Sequence, residues 1–217
     1  MSNPSEINID FRLIELEQEL RLISELRETL EHQIAHSIAQ ETLRTESALR
    51  KEHDWTEHEI AYQVLDHTLE NLHSRLSRGL FLLALWAVFE SVISEVAYFI
   101  ADQRKANLKV QDLYGRSLRD KWSKYFSFVL GYELNFTKQE WMRLNELAAL
   151  RNFFAHANGR VDQLNDKTKL KIKKIKICGG VEMKLDYIFL NKEFLKDSTE
   201  FVHGIMQRLL ERVKHDF

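Results

Sequence analysis

Apolar residues recur at helical spacing from the start of the chain. Ile9, Leu13, Leu16, Leu20, Ile23, Leu30 and Ile34 follow a near-heptad seam that Arg27 interrupts, and Leu22 and Leu26 widen the stripe. This predicts a long amphipathic helix, capped by Asp10 after a frayed lead over residues 1–9. The run is expected to form an antiparallel hairpin arm or a dimer coiled coil, or else a single helix folded back on its own domain. Thr56 and Glu59 have capping-box spacing, so a second helix is expected to begin there and to run through Ala61, Val64, Leu65, Leu69, Leu72 and Leu76.

Residues 79–100, GLFLLALWAVFESVISEVAYFI, form the most apolar stretch. Its length approaches a bilayer span. Glu90 and Glu95 oppose that reading, because each carboxylate at a bilayer centre costs about 2.5–3.5 kcal/mol. A buried central helix is the expectation, without a membrane partner. Glu90 then lies among Trp86, Phe89 and Ile93 and needs solvent or a cation. A further helix is expected from about Asp112 to Leu130, with Trp122, Tyr125, Phe126 and Val129 inward and Arg116, Arg119, Lys121 and Lys124 outward. Gly131 ends it. Thr137 and Glu140 form another capping box, and Trp141, Leu144, Leu147, Ala148 and Leu150 lead into Arg151.

From Lys167 the period changes to two. Lys169, Lys171 and Lys173 alternate with Leu170 and Ile172, and the phase slips at Lys174. With Gly179-Gly180 as the turn, residues 167–190 predict a β-hairpin with a bulge. Its lysines suit a phosphate backbone, or protect a sheet edge. Helical spacing returns after Asn191.

Composition narrows the classes. One proline and seven glycines in 217 residues disfavour long linkers and all-β folds. Cys178 is the single cysteine, which excludes an intramolecular disulfide. The N-terminus lacks a signal-peptide pattern, and a cytoplasmic setting is expected. The net charge of −2 conceals polarity: residues 1–100 carry 8 Lys and Arg against 18 Asp and Glu, residues 101–217 carry 23 against 15. A polyanion would meet the second half. His32 and His36 have the spacing of two metal ligands, but no third ligand accompanies them. No phosphate loop, zinc cluster or nucleophile elbow occurs, and neither metal nor cofactor is expected.

The chemistry concentrates in Arg151-Asn152-Phe153-Phe154-Ala155-His156. Arginine offers phosphate a planar fork of donors, and histidine exchanges protons near neutral pH. Asn152 and His156 share a helix face, whereas Arg151 points elsewhere. Arg and His converge only if the helix loosens near residues 157–159 or if a second subunit contributes.

Arg, Asn, three residues and His, at the end of an amphipathic helix and after a long apolar helix with an internal Glu, resembles the signature of the HEPN superfamily. The resemblance covers roughly residues 56–217. It implies an all-α, HEPN-like bundle with an N-terminal helical arm (1–55) and a hairpin insert before the C-terminal helix. It further implies a homodimeric, metal-independent endoribonuclease of a toxin–antitoxin or phage-defence type, with an antitoxin or regulatory protein as a further partner. Arg151, Asn152 and His156 would be catalytic, with Glu90 holding Arg151. RNA would also meet Lys169, Lys171, Lys173 and Lys174. The alternative within the family is a non-catalytic dimerisation or binding module acting through the arm.

Overall fold

The computed structural model describes residues 11–49, 55–115, 117–162, 164, 166, 169–170, 175, 179–184 and 186–217. The elements are α1 (Phe11–Leu49), α2 (Trp55–Asp66), a π-helical segment (His67–Ser74), α3 (Arg75–Arg104), a 3-10 turn (Val110–Asp112), α4 (Leu118–Lys124), a second π-turn (Tyr125–Val129), α5 (Lys138–Ala157), β1 (Val181–Lys184), β2 (Tyr187–Leu190) and α6 (Lys192–Asp216). The chain is mostly helical, with a small antiparallel hairpin before the C-terminal helix. Asp10 and residues 1–9 lie outside the described residues.

Helix α3 is the hub. It packs on α1, α5 and α6, and Phe89, Val92, Ile93, Val96 and Ile100 are fully buried. Its apolar run is long enough to cross a membrane by length and composition alone; half of that window is buried against the other helices. The first half of α1 joins this core through Leu13, Leu16, Leu20 and Ile23, so the helix folds back onto its own domain there. Burying each such side chain stabilises by about 1.5–3 kcal/mol. Beyond Ile23 the stripe thins to Leu30 and Ile34, while Leu22 and Leu26 face out. The half-buried Arg78 guanidinium clamps Glu31 through two hydrogen bonds of 2.9 and 2.8 Å, tying α1 to α3 at that point. Further on, α1 runs beside α2.

Helix α5 starts where the capping box places it. Thr137 Oγ1 accepts the Glu140 N–H at 3.1 Å, and the Glu140 carboxylate accepts the Thr137 N–H at 2.7 Å. Trp141, Leu144, Leu147, Leu150, Phe153 and Phe154 then face the core. Gly79 permits the close approach of α3 and α5, because a Cβ there would lie 2.5 Å from the Phe154 ring.

Three expectations are corrected. The expected Asp112–Leu130 helix is broken: a 3-10 turn ends at Asp112, residues 113–115 are not helical, and α4 begins only at Leu118. Ser117 caps it by accepting the Asp120 N–H, and Gly115 packs on Lys121 so closely that a Cβ would lie 2.6 Å from the Lys121 Cβ. Thr56 is not a cap, since α2 begins at Trp55. The hairpin is shorter and later than 167–190. Both strands follow Gly179-Gly180, Val181 pairs with Leu190 and Lys184 with Tyr187, and Asp186 in the connection has φ +62°. Gly180 instead lets the chain pass over the start of α6, where a Cβ would meet Asn191 Oδ1 at 2.5 Å. Of residues 167–178 the described ones are Lys169, Leu170 and Ile175, and all three are helical. The alternation of Lys and apolar residues there is equally compatible with a helix, and among its described residues Ile175 is buried.

Candidate functional site

Helix α5 remains regular through Ala157, and Asn158 closes it in the left-handed conformation at φ +47°. The helix therefore does not loosen before His156. Five positions on, His156 lies about 140° around the axis from Arg151. Asn152 and His156 share a face and are both exposed. Within one chain, Arg151 and His156 do not converge.

Arg151 sits at an open, polar cleft of about 380 Å3. Glu90 and Trp86 line it from α3, Ser117 and Leu118 from the start of α4, and Asn145, Arg151 and Asn152 from α5. Ala148 and Ala149 line it as well. Arg151 Nη1 donates to Asn152 Oδ1 at 2.9 Å. Its Nη2 stands 3.8 Å from Glu90 Oε2, close enough for charge attraction but too far for a hydrogen bond. The Arg151 side chain is 35% exposed and that of Glu90 46%. The expected Glu90–Arg151 pairing is thus present, and it leaves both groups open to solvent. His156 lies on the last turn of α5, outside this cleft.

Behind the motif helix lies a residue for which the sequence carries no signal. Arg75, 5% exposed, donates from Nη1 to the carbonyl of Asn158, at the closing turn of α5. Its guanidinium lies 4.3 Å over the Tyr187 ring. Burial lowers its pKa from the usual arginine value, with Tyr187 opposing. A cation at a helix C-terminus also meets the dipole favourably. The chain leaving α5 then pairs with the hairpin: Ile188 N–H donates to Gly159 at 2.9 Å and Val161 N–H to Asp186 at 2.7 Å. The position of His156 is therefore set by α5, by Arg75 and by the hairpin together.

Among the other anticipated residues, Lys169 is half-exposed and helical. Lys171, Lys173 and Lys174 lie outside the described residues. His32 and His36 are both exposed on α1, and no group of three potential metal-ligating side chains occurs among the described residues. Asn145 and Ser117, which complete the cleft, were not singled out by any motif. They become visible only when α3, α4 and α5 are packed together.

Among known proteins, no family model, no curated protein and no solved structure matches this chain.

Proposed function

We propose that this protein is a metal-independent endoribonuclease of the HEPN type that works as a dimer. The observation that carries the reading is the placement of Arg151. It stands half-exposed in a polar cleft beside Asn152, with His156 exposed one turn further along the same helix. In this reading His156 takes the proton from a ribose 2′-hydroxyl. The 2′-oxygen then forms a bond to phosphorus as the bond to the 5′-oxygen breaks; that oxygen takes a proton from water, and His156 later returns its proton to solvent. Arg151 stabilises the charge on the phosphorane, and Asn152 orients Arg151. The products are a 2′,3′-cyclic phosphate and a 5′-hydroxyl. DNA, lacking the 2′-hydroxyl, is not cleaved. The 140° separation within one chain is met by a second copy, whose His156 faces the first copy's Arg151. The setting is a toxin–antitoxin or phage-defence system in the cytoplasm, with an antitoxin or regulatory partner.

The test is incubation of wild type and His156→Ala with total RNA and a chelator, followed by mapping of the new ends. Cyclic-phosphate ends from the wild type alone support the reading. Equal cleavage by the variant overturns the assignment of His156, and DNA cleavage overturns the mechanism.

A second reading is a non-catalytic binding module acting through its N-terminal arm. Two observations favour it: Arg151 is already held by Asn152 and Glu90, and Leu22, Leu26 and Leu43 are exposed on α1. Loss of partner binding by a Leu26→Asp, Leu43→Asp variant, with no RNA cleavage by wild type, would support it.

A further inference from the structure

Hydrogen-bonding capacity is left over around the Arg151 cleft. The Glu90 carboxylate accepts no hydrogen bond from any described residue, and its charged neighbour Arg151 stands off at 3.8 Å. The Asn145 amide, half-exposed on α5, forms none with any described residue either. Asn152 spends its carbonyl oxygen on Arg151 and keeps its NH2. Ser117 accepts the Asp120 N–H and keeps its hydroxyl proton. Ala148 and Ala149 add only small methyl groups to the lining. The volume, about 380 Å3, lies in the range of small-molecule sites, about 300–1,000 Å3.

We propose that this cleft receives a guanine base, next to the phosphate that Arg151 holds; this rests on the ribonuclease reading. Guanine carries two donors side by side, N1–H and N2–H, and two acceptors, O6 and N7, on its other edges. A carboxylate matches the donor pair with both oxygens. The NH2 groups of Asn145 and Asn152 match the acceptors. Adenine and cytosine turn a ring-nitrogen acceptor towards Glu90 where guanine offers N1–H, and uracil flanks its one N–H with carbonyl oxygens. Each would leave the carboxylate desolvated without a full set of donors. Single-stranded RNA is the form that can present these edges, because its bases are not paired. Glu90 thereby selects a base as well as steering Arg151.

The test separates base recognition from cleavage. The full-length His156→Ala protein is titrated calorimetrically with the 5′-monophosphates of guanosine, adenosine, cytidine and uridine. The guanosine nucleotide binds about tenfold tighter or more, the discrimination of one good two-point contact. Glu90→Gln removes the preference and Asn145→Ala weakens guanosine binding. Ala148→Leu blocks all four by filling part of the cleft, with circular dichroism checking its fold. Equal affinities, a preference that survives Glu90→Gln, or no binding at millimolar nucleotide overturns the inference. RNA cleavage by wild type without enrichment of guanine beside the cut overturns this inference alone. Guanosine binding without RNA cleavage overturns the nuclease reading and leaves the base site standing.

Discussion

Arg151 divides its guanidinium between two neighbours: a hydrogen bond of 2.9 Å to Asn152 on its own helix, and a looser contact of 3.8 Å to Glu90 on α3. The first fixes the fork and the second leaves one donor edge available. A half-exposed pair of this kind contributes about 0–1 kcal/mol to stability. Glu90→Gln is therefore expected to shift the melting temperature by less than about 3 °C, while RNA cleavage falls. Unchanged cleavage kinetics would remove Glu90 from the site.

On the proposed reading, the active site is a composite of two chains. Arg151→Ala and His156→Ala are each expected to be inactive alone. Mixed and allowed to exchange subunits, they recover up to about one quarter of wild-type cleavage, since half the dimers are mixed and each keeps one intact site of two. If the mixture stays as inactive as its components, Arg and His do not meet across a dimer.

Arg75 is the principal support behind the motif. Arg75→Met removes the donor from the Asn158 carbonyl and should cost about 1.5–3 kcal/mol, the usual worth of a hydrogen bond to a charged group. Hydrogen exchange checks the location: amides of residues 158–161 and of β2 should lose protection before those of α3. Uniform loss across the chain would contradict a local role.

Gly79→Ala tests the approach of α3 to α5. A methyl group 2.5 Å from the Phe154 ring forces a repacking expected to cost about 1–3 kcal/mol in denaturant unfolding. Phe154→Leu in the same chain should recover part of that loss. No recovery would place the strain elsewhere.

Acid sensitivity should trace in part to Glu140. Its partial burial raises the carboxyl pKa, but the Thr137 N–H and hydroxyl, with Arg208, outweigh burial and hold it below the ordinary glutamate value. A depressed folded-state pKa gives stability that is present above the unfolded value, about 4.3, and is lost as pH falls through the folded one. Glu140→Gln should flatten the stability profile in that acid window. An unchanged acid slope would assign the effect to other carboxylates.

Much of the helical layout was legible because it rests on local rules. The Thr137–Glu140 cap set the start of α5 within one residue, and the apolar run from Gly79 marked α3 as the hub. Where competing structures share one pattern, local reading failed. Alternating lysines before Cys178 suited a strand as well as a helix, and Gly179-Gly180 looked like a hairpin turn when its role is clearance over Asn191. The cleft was legible only in part. Arg151, Asn152 and His156 stand together in sequence and Asn145 lies on the same helix, but Ser117 joins the cleft, and Arg75 supports the helix end, through packing between distant segments, which no short pattern encodes.

The π-helical turns of His67–Ser74 join α2 to α3 without a break, so residues 55–104 form one continuous helical rod. A π turn closes i→i+5 hydrogen bonds and so holds more residues than an α turn. The segment thus behaves like a phase adjuster between two otherwise separate gears. Losing one residue there would turn the exposed face of α2 by about 100° relative to the core, leaving every side chain in both helices unchanged.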